Sequence, residues 1–301
     1  MLGKCRLCGE VRELQNSHVI PAFAVRWIKE TSATPYLRSA ESPNLRKQDI
    51  GTTQLLCRDC EGRFSYYEDL FARNIFTPYV CEELDEKGCG RGRIKGLDYA
   101  DWLLKFAISL QWRVLVTRPE KIGEEAELTC IESIWRQYLL EKRGDTGVYE
   151  NHIIFLSSLG GATIPAGLKL GRRVNMYLLH SVDGTVVSSD NNRYLGIYSK
   201  IGPVAFYTAI RPHAVKGNGD SRIHMRGTVK TAPILRNGWL NQFIFITRPN
   251  EGYGEISEKQ QVKLDNEISK NPERVLQSMS PHLKRVDYEL ERKEKDVRDR
   301  S

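Results

Sequence analysis

Apolar residues recur at steps of three and four from Phe64 through Tyr67 and Phe71 to Ile75, which predicts a helix with one buried face that Pro78 stops. A second stripe (Trp102, Leu103, Phe106, Leu110, Arg113, Val114) predicts a helix over 98–116 with Asp98 as its cap. Ile131, Ile134, Trp135, Tyr138 and Leu139 give a third helix over 128–142. From residue 151 the grammar changes to strands: 152–156 (HIIFL), 175–180 (NMYLLH), 205–210 (AFYTAI) and 239–247 (WLNQFIFIT). Asp183-Gly184 sits between two of these runs as a hairpin-turn signal. Residues 257–300 return to helix, interrupted by Pro272 and Pro281, and the last twenty alternate in charge like a solvated helix. Residues 81–97, rich in glycine and charge, fit a linker or surface loop. The expected class is α+β: a small module over 1–80, then a mixed helix and antiparallel-sheet body over 98–301. That body divides into helices at 98–143, a β-rich stretch at 151–248 and a helical C-terminus at 257–300.

Composition narrows this picture. The 301 residues are 40% hydrophobic and 28% charged, which excludes disordered, collagen-like and disulfide-scaffold chains. The N-terminus has no apolar segment behind a basic lead, and the longest uncharged stretch, 151–168, is broken by serines, glycines and Pro165. Seven cysteines, an odd number, argue for a reducing compartment. The expectation is a cytoplasmic protein with no membrane partner. The formal charge of +7 is uneven, because residues 200–248 hold eight basic groups and one acid, Asp220. Such a segment suits a polyanion, with 213–226 its more exposed-looking part and Arg222, Arg226 and Lys230 as candidate nucleic-acid contacts, although a solvated surface has the same composition.

Two cysteine pairs, Cys5-x-x-Cys8 and Cys57-x-x-Cys60, carry the clearest chemistry. Each pair can wrap one face of a tetrahedral ion, so the four thiolates complete a closed structural Zn²⁺ site. Metal binding would supply part of the folding energy of an eighty-residue unit. Cys81 and Cys89 make a weaker case, and Cys130 fits a core position on its helix.

The ordered set of Cys-x-x-Cys, Ser17-His18-Val19-Ile20-Pro21 and Leu55-Leu56-Cys57-x-x-Cys60-Glu61 resembles the HNH endonuclease family over residues 5–76. The resemblance implies a treble-clef, ββα-metal module in which zinc is structural and a second divalent ion, Mg²⁺ or Mn²⁺, serves phosphodiester hydrolysis. It assigns His18 as general base and Glu61 as a ligand of the second ion. Ser17 stands where the family usually has Asp or His, and Thr52 where its middle Asn is expected; Asn44 is the nearest asparagine upstream. Asp49, Asp59 or Glu68 then become candidate replacement ligands, Glu68 lying two helical turns after Glu61. His18 could instead ligate zinc or be a core histidine. Glu61 also suits a helix N-terminus whatever its function.

The expected function is a metal-dependent HNH-like endonuclease acting on DNA, of a kind that often serves restriction or anti-phage defence. The alternatives are a non-catalytic zinc-stapled nucleic-acid-binding or assembly protein, and a subunit that engages a protein partner or forms a homo-oligomer.

Overall fold

The N-terminal strands β1 (Leu2–Lys4) and β2 (Val11–His18) pair antiparallel, Lys4 opposite Val11, so the first cysteine pair occupies the connection between them. The computed structural model describes every residue except 40–41, 49–51, 86, 92–95, 161–168, 232–235, 252–255 and 299–301. Pro21 leads into α1 (Ala22–Glu30), and β3 (Leu37–Ser39) with β4 (Ser42–Lys47) makes a small hairpin. β5 (Thr52–Cys57) then joins β2 to complete a three-stranded sheet, order β1-β2-β5, and runs straight into α2 (Arg58–Phe71). β6 (Leu97–Tyr99) precedes α3 (Asp101–Val116), α4 (Pro119–Glu124) and α5 (Ala126–Leu139). Next come β7 (Asn151–Phe155), α6 (Val174–Leu179), β8 (Val182–Ser188), β9 (Leu195–Ile201) and β10 (Val204–Arg211). β11 (Gly227–Val229) pairs with β6. The chain ends in α7 (Gly238–Gln242), α8 (Arg248–Glu251), α9 (Glu258–Lys270), α10 (Pro272–Gln277) and α11 (Met279–Arg298).

The class is α+β with antiparallel sheets, as the hydrophobic pattern predicts. β7-β10-β9-β8 form the second sheet, and α3 lies against it. From Leu103 to Val116 nearly every α3 side chain is buried, which marks a helix enclosed on all sides. Phe71 of α2 stacks on Phe106 of α3 at 4.2 Å, and both meet Phe206 of β10 edge-on at 5.5 and 5.6 Å. One apolar core therefore runs from Cys5 and Phe64 through α3 to Ile197 and Phe206. The C-terminal helices fold back onto α1: Arg274 donates to the carbonyls of Lys29 and Ser32, and the Met279 amide to that of Thr31. Among the described residues, no helix is long and apolar enough to cross a membrane.

Several local expectations are corrected. The 175–180 run is helical in α6, because Asp287 of α11 accepts from the backbone amides of Asn175 and Met176 and caps a segment whose own sequence favours a strand. The 239–247 run is α7 followed by a π-helical turn over Phe243–Thr247. The Asn237 side chain caps it by accepting from the Leu240 amide, and Trp239 and Phe243 stack one turn apart. Asp183-Gly184 lies inside β8; a Cβ on Gly184 would sit 2.7 Å from Val114, so this glycine lets α3 approach the sheet. The tight turn is instead at Gly202 (φ 53), before Pro203. Asp98 is in β6, bonded by the Thr228 hydroxyl, and does not cap α3. Pro78 does not end the first helix, because it falls between π-helical turns at Ala72–Phe76 and Tyr79–Glu83 where the regular bonding ladder is already interrupted. Cys130 is exposed, not core. Leu283, Asp287 and Leu290 of α11 are buried, so only its other faces are solvated.

Two buried histidines give the fold a pH dependence. His180 faces the Thr31 hydroxyl at 2.9 Å, and burial, reinforced by Lys200, pushes its pKa down to about 4. His152 lies 3.0 Å from the Ser221 hydroxyl, and burial lowers it to about 4 against the opposing pull of Glu150. Unfolded, each binds a proton as pH falls through about 6.5; folded, each does so only near 4. The unfolded chain therefore holds more protons across that window. Stability should drop as pH falls through it, by up to ~3 kcal/mol per histidine. Melting temperatures between pH 7 and 4 test this, with His180→Gln expected to flatten the slope.

Candidate functional site

The first cysteine pair sits on a knuckle between β1 and β2. Gly9 (φ 82) turns the chain there, and its amide donates to the Cys5 carbonyl at 2.9 Å. The second pair straddles the junction of β5 and α2, with the Cys57 amide donating to Cys5 Sγ at 3.3 Å. All four Sγ atoms lie within 4.8 Å of one another, and those of Cys8 and Cys57 are 4.0 Å apart. Tetrahedral zinc with bonds of about 2.3 Å requires sulfur atoms roughly 3.8 Å apart, so the donor set fits Zn²⁺. Burial pushes the Cys8 and Cys60 thiols up, and neighbouring thiolates push them further. Burial acts in the same sense on Cys5, but amide donors from Cys57, Cys8 and Leu7 outweigh it and bring that thiol down. A cation among the four sulfurs relieves this crowding of negative charge.

His18 is the final residue of β2, half-buried, with Thr52 directly opposite in β5. The position noted for the family's middle asparagine therefore faces the histidine across the ladder. The Ser17 hydroxyl is buried and accepts from the Leu56 amide at 3.2 Å, a structural tie between the two strands. Glu61 follows Cys60 in the first turn of α2; its Oε1 is buried without a hydrogen-bond partner. Glu68 lies seven residues further on, a rise of about 10 Å along the helix, with Oε1 2.7 Å from Arg113 Nη2. The same arginine donates from Nη1 to the His18 carbonyl at 2.8 Å and places its guanidinium over Phe64.

Among the other suggested ligands, Asp59 is paired with Arg12 at 2.6 Å, and the Asn44 side chain accepts from the Ser257 amide. Asp49 lies outside the described residues. Among the described residues, the four cysteines are the one group of three or more His, Cys, Asp or Glu side chains close enough to hold an ion.

Four of the eight cations of 200–248 are ion-paired, three of them with acids outside that stretch. Arg222 pairs with Glu150, Lys230 with Asp220, Arg211 with Glu125 and Glu127, and Arg248 with Asp183. Lys200 is buried and donates to the carbonyls of Leu178, Ser181 and Gly202. Lys216, Arg226 and Arg236 are exposed, Arg226 just before β11. The segment around 213–226 is fastened rather than loose: Glu150 accepts from both the Val215 amide and Arg222, and the Ile223 amide donates to the Asn151 carbonyl.

Arg113 is the residue that pattern reading missed, since it counted only as one position in a helical stripe. Its signal was a lone guanidinium inside the otherwise uncharged run SLQWRVLV. Comparison with protein-family models, with curated proteins and with solved structures finds no match for this chain.

Proposed function

We propose that the chain is a zinc-stapled, HNH-like nuclease that hydrolyses phosphodiester bonds in DNA. The observation that carries the proposal is the partnerless, buried Oε1 of Glu61, one residue beyond a zinc-type cysteine, on the helix packed against the strand that ends in His18. The cysteine cluster has a structural role here, joining the β1–β2 connection, β5 and α2 into one frame. His18 takes the proton from the attacking water, a role suited to imidazole near neutral pH. Glu61 is the carboxylate for a hard divalent ion, Mg²⁺ or Mn²⁺, which when bound supplies charge neutralisation at the phosphate and leaving oxygen. Glu68 serves the buried pair with Arg113 instead of that ion.

Plasmid DNA incubated with the purified protein and Mn²⁺ tests the proposal. His18→Ala should lower cleavage at least ~100-fold, and Glu61→Gln should lower it as well, with zinc content and melting temperature unchanged. Wild-type activity in both variants overturns the assignment.

A second reading, a non-catalytic zinc-stapled nucleic-acid-binding protein, is favoured by the internal engagement of the Ser17 hydroxyl and Glu68. It expects DNA binding without cleavage under any divalent ion.

A further inference from the structure

Two of the unpaired cations of 200–248 flank a column of stacked rings. Tyr194 immediately precedes β9 and Trp239 lies in α7; both are half-buried, and their rings stack at 4.8 Å with an interplanar angle of 9°. Phe243 continues the column behind Trp239 at 5.7 Å and 14°. Buried rings support it, since Tyr207 meets Trp239 at 6.2 Å and Tyr198 meets Phe243 edge-on at 5.1 Å. The backbone under the two outer rings is fixed. The Ser189 amide donates to the Tyr194 carbonyl, the Ser189 hydroxyl accepts from the Arg193 and Tyr194 amides, and Arg211 donates to the Asn192 side chain at 2.6 Å. Asn237 caps the turn that carries Trp239. Among the described residues, neither the Tyr194 hydroxyl nor the Trp239 indole N–H has a hydrogen-bond partner, which a buried ring of either kind usually finds, so both rings keep an edge in water.

Three exposed cations stand beside the pair. Arg193 is the neighbour of Tyr194, and Arg236 lies three residues before Trp239. Lys216 is brought to them because the Arg236 stem packs over Gly217. A Cβ at Gly217 would lie 3.2 Å from that of Arg236, and its φ of 81 is one that few other residues adopt. None of the three cations forms an ion pair among the described residues. Asp190 is the one acid of the 189–194 turn; Asp220 is taken by Lys230, and Glu125 and Glu127 by Arg211. Fixed rings amid unpaired cations suit single-stranded nucleic acid, in which an unstacked base can cover a ring while the phosphates beside it meet positive charge. A duplex keeps its bases stacked on one another and offers such a surface only its phosphates.

We propose that Tyr194 and Trp239, with Arg193, Lys216 and Arg236, form a surface that binds single-stranded nucleic acid by base stacking and phosphate contact. The proposal rests on the reading of the protein as one that acts on DNA. It replaces Arg222 and Lys230, which are ion-paired, by cations that are not.

Binding of a fluorescein-labelled 20-nucleotide oligothymidine is measured by anisotropy across a salt series without added divalent ions, for the full chain. Tyr194→Leu should weaken binding about tenfold and leave the slope of log K against log[salt] unchanged, because a ring is lost and no charge. The same variant should bind a 20-base-pair duplex as the wild type does. Arg193→Gln/Arg236→Gln should reduce the single-strand slope by ~1.4, two phosphate contacts at ~0.7 each. Lys259→Gln/Lys263→Gln, exposed on α9, should change neither affinity nor slope. Arg193 and Arg236 are exposed, so their variant tests the surface even where Tyr194→Leu lowers the melting temperature. A wild-type slope in the arginine variant, wild-type affinity in Tyr194→Leu, an equal loss on duplex and single strand, or no binding of the oligonucleotide by the wild-type chain overturns the surface. Cleavage with Mn²⁺ is scored separately. Binding through these rings without cleavage sinks the nuclease reading and leaves the surface standing, and cleavage with wild-type binding in both variants does the reverse.

Discussion

Cys57→Ser should abolish zinc binding at the four-cysteine cluster and lower the melting temperature by about 8 °C. Structural zinc contributes an apparent ~10–16 kcal/mol to folding in small modules, against a total stability of ~5–15 kcal/mol for an ordinary domain. Loss of one thiolate from a four-ligand site forfeits much of that, and ~5 kcal/mol corresponds to a shift of this size in a chain of this length. The effect cannot stay local. Cys57 opens α2, whose Phe64 and Phe71 belong to the same core as α3 and the second sheet. The body should therefore melt with the module. Circular dichroism gives the melting temperature, and a chromophoric chelator added after denaturation counts one zinc per wild-type chain. Serine at the exposed Cys81 or Cys130 is the control and should change neither. Absence of zinc from the wild-type protein, or an unaltered melting temperature in Cys57→Ser, defeats the assignment.

Arg113→Met should cost about 3–5 kcal/mol in urea denaturation. The substitution roughly conserves the side chain's length and apolar contact, so the loss comes from stranding partners. Glu68, only 19% exposed, keeps its charge without a counter-ion, and the His18 carbonyl loses its donor. The diagnostic variant is the double one. Arg113→Met/Glu68→Met removes the stranded charge together with the arginine, and should recover a large part of the stability lost by the single change. If the double variant is as unstable as the sum of both singles, the pair is not coupled as the geometry requires.

The comparison between sequence and structure divides along a physical line. The cysteine pairs and the stripe from Phe64 to Ile75 were legible because their determinants are local: ligand spacing, helical period and one buried face. The long helix over 98–116 was found for the same reason, and its start was misplaced because Asp98 is taken by Thr228, 130 residues away. The 175–180 run was misread because its cap comes from α11. The 239–247 run carried a local signal in Asn237-Gly238, which β-rich composition outweighed. At the candidate site, Cys5, Cys8, Cys57 and Cys60 were named from spacing and do converge. The circumstances of His18, Glu61 and Glu68 were not legible, since a partnerless carboxylate and a guanidinium arriving from α3 are products of tertiary packing. The charge of 200–248 was legible as a sum, but its pairing was not, because the acids that meet Arg211, Arg222 and Arg248 lie outside that stretch.

The cap that Asp287 places on α6 also constrains the order in which the molecule can assemble. It lies 112 residues beyond Asn175, and ribosomes add about 5–20 residues per second, so roughly 6–22 s pass before the capping carboxylate has been made. Throughout that interval the nascent segment 174–179 lacks its cap, although Lys200 and α8, which also meet it, are made before Asp287. Settling of α6 onto its final partner therefore waits for α11, and a chain that stops short of Asp287 leaves a strand-prone segment without its cap.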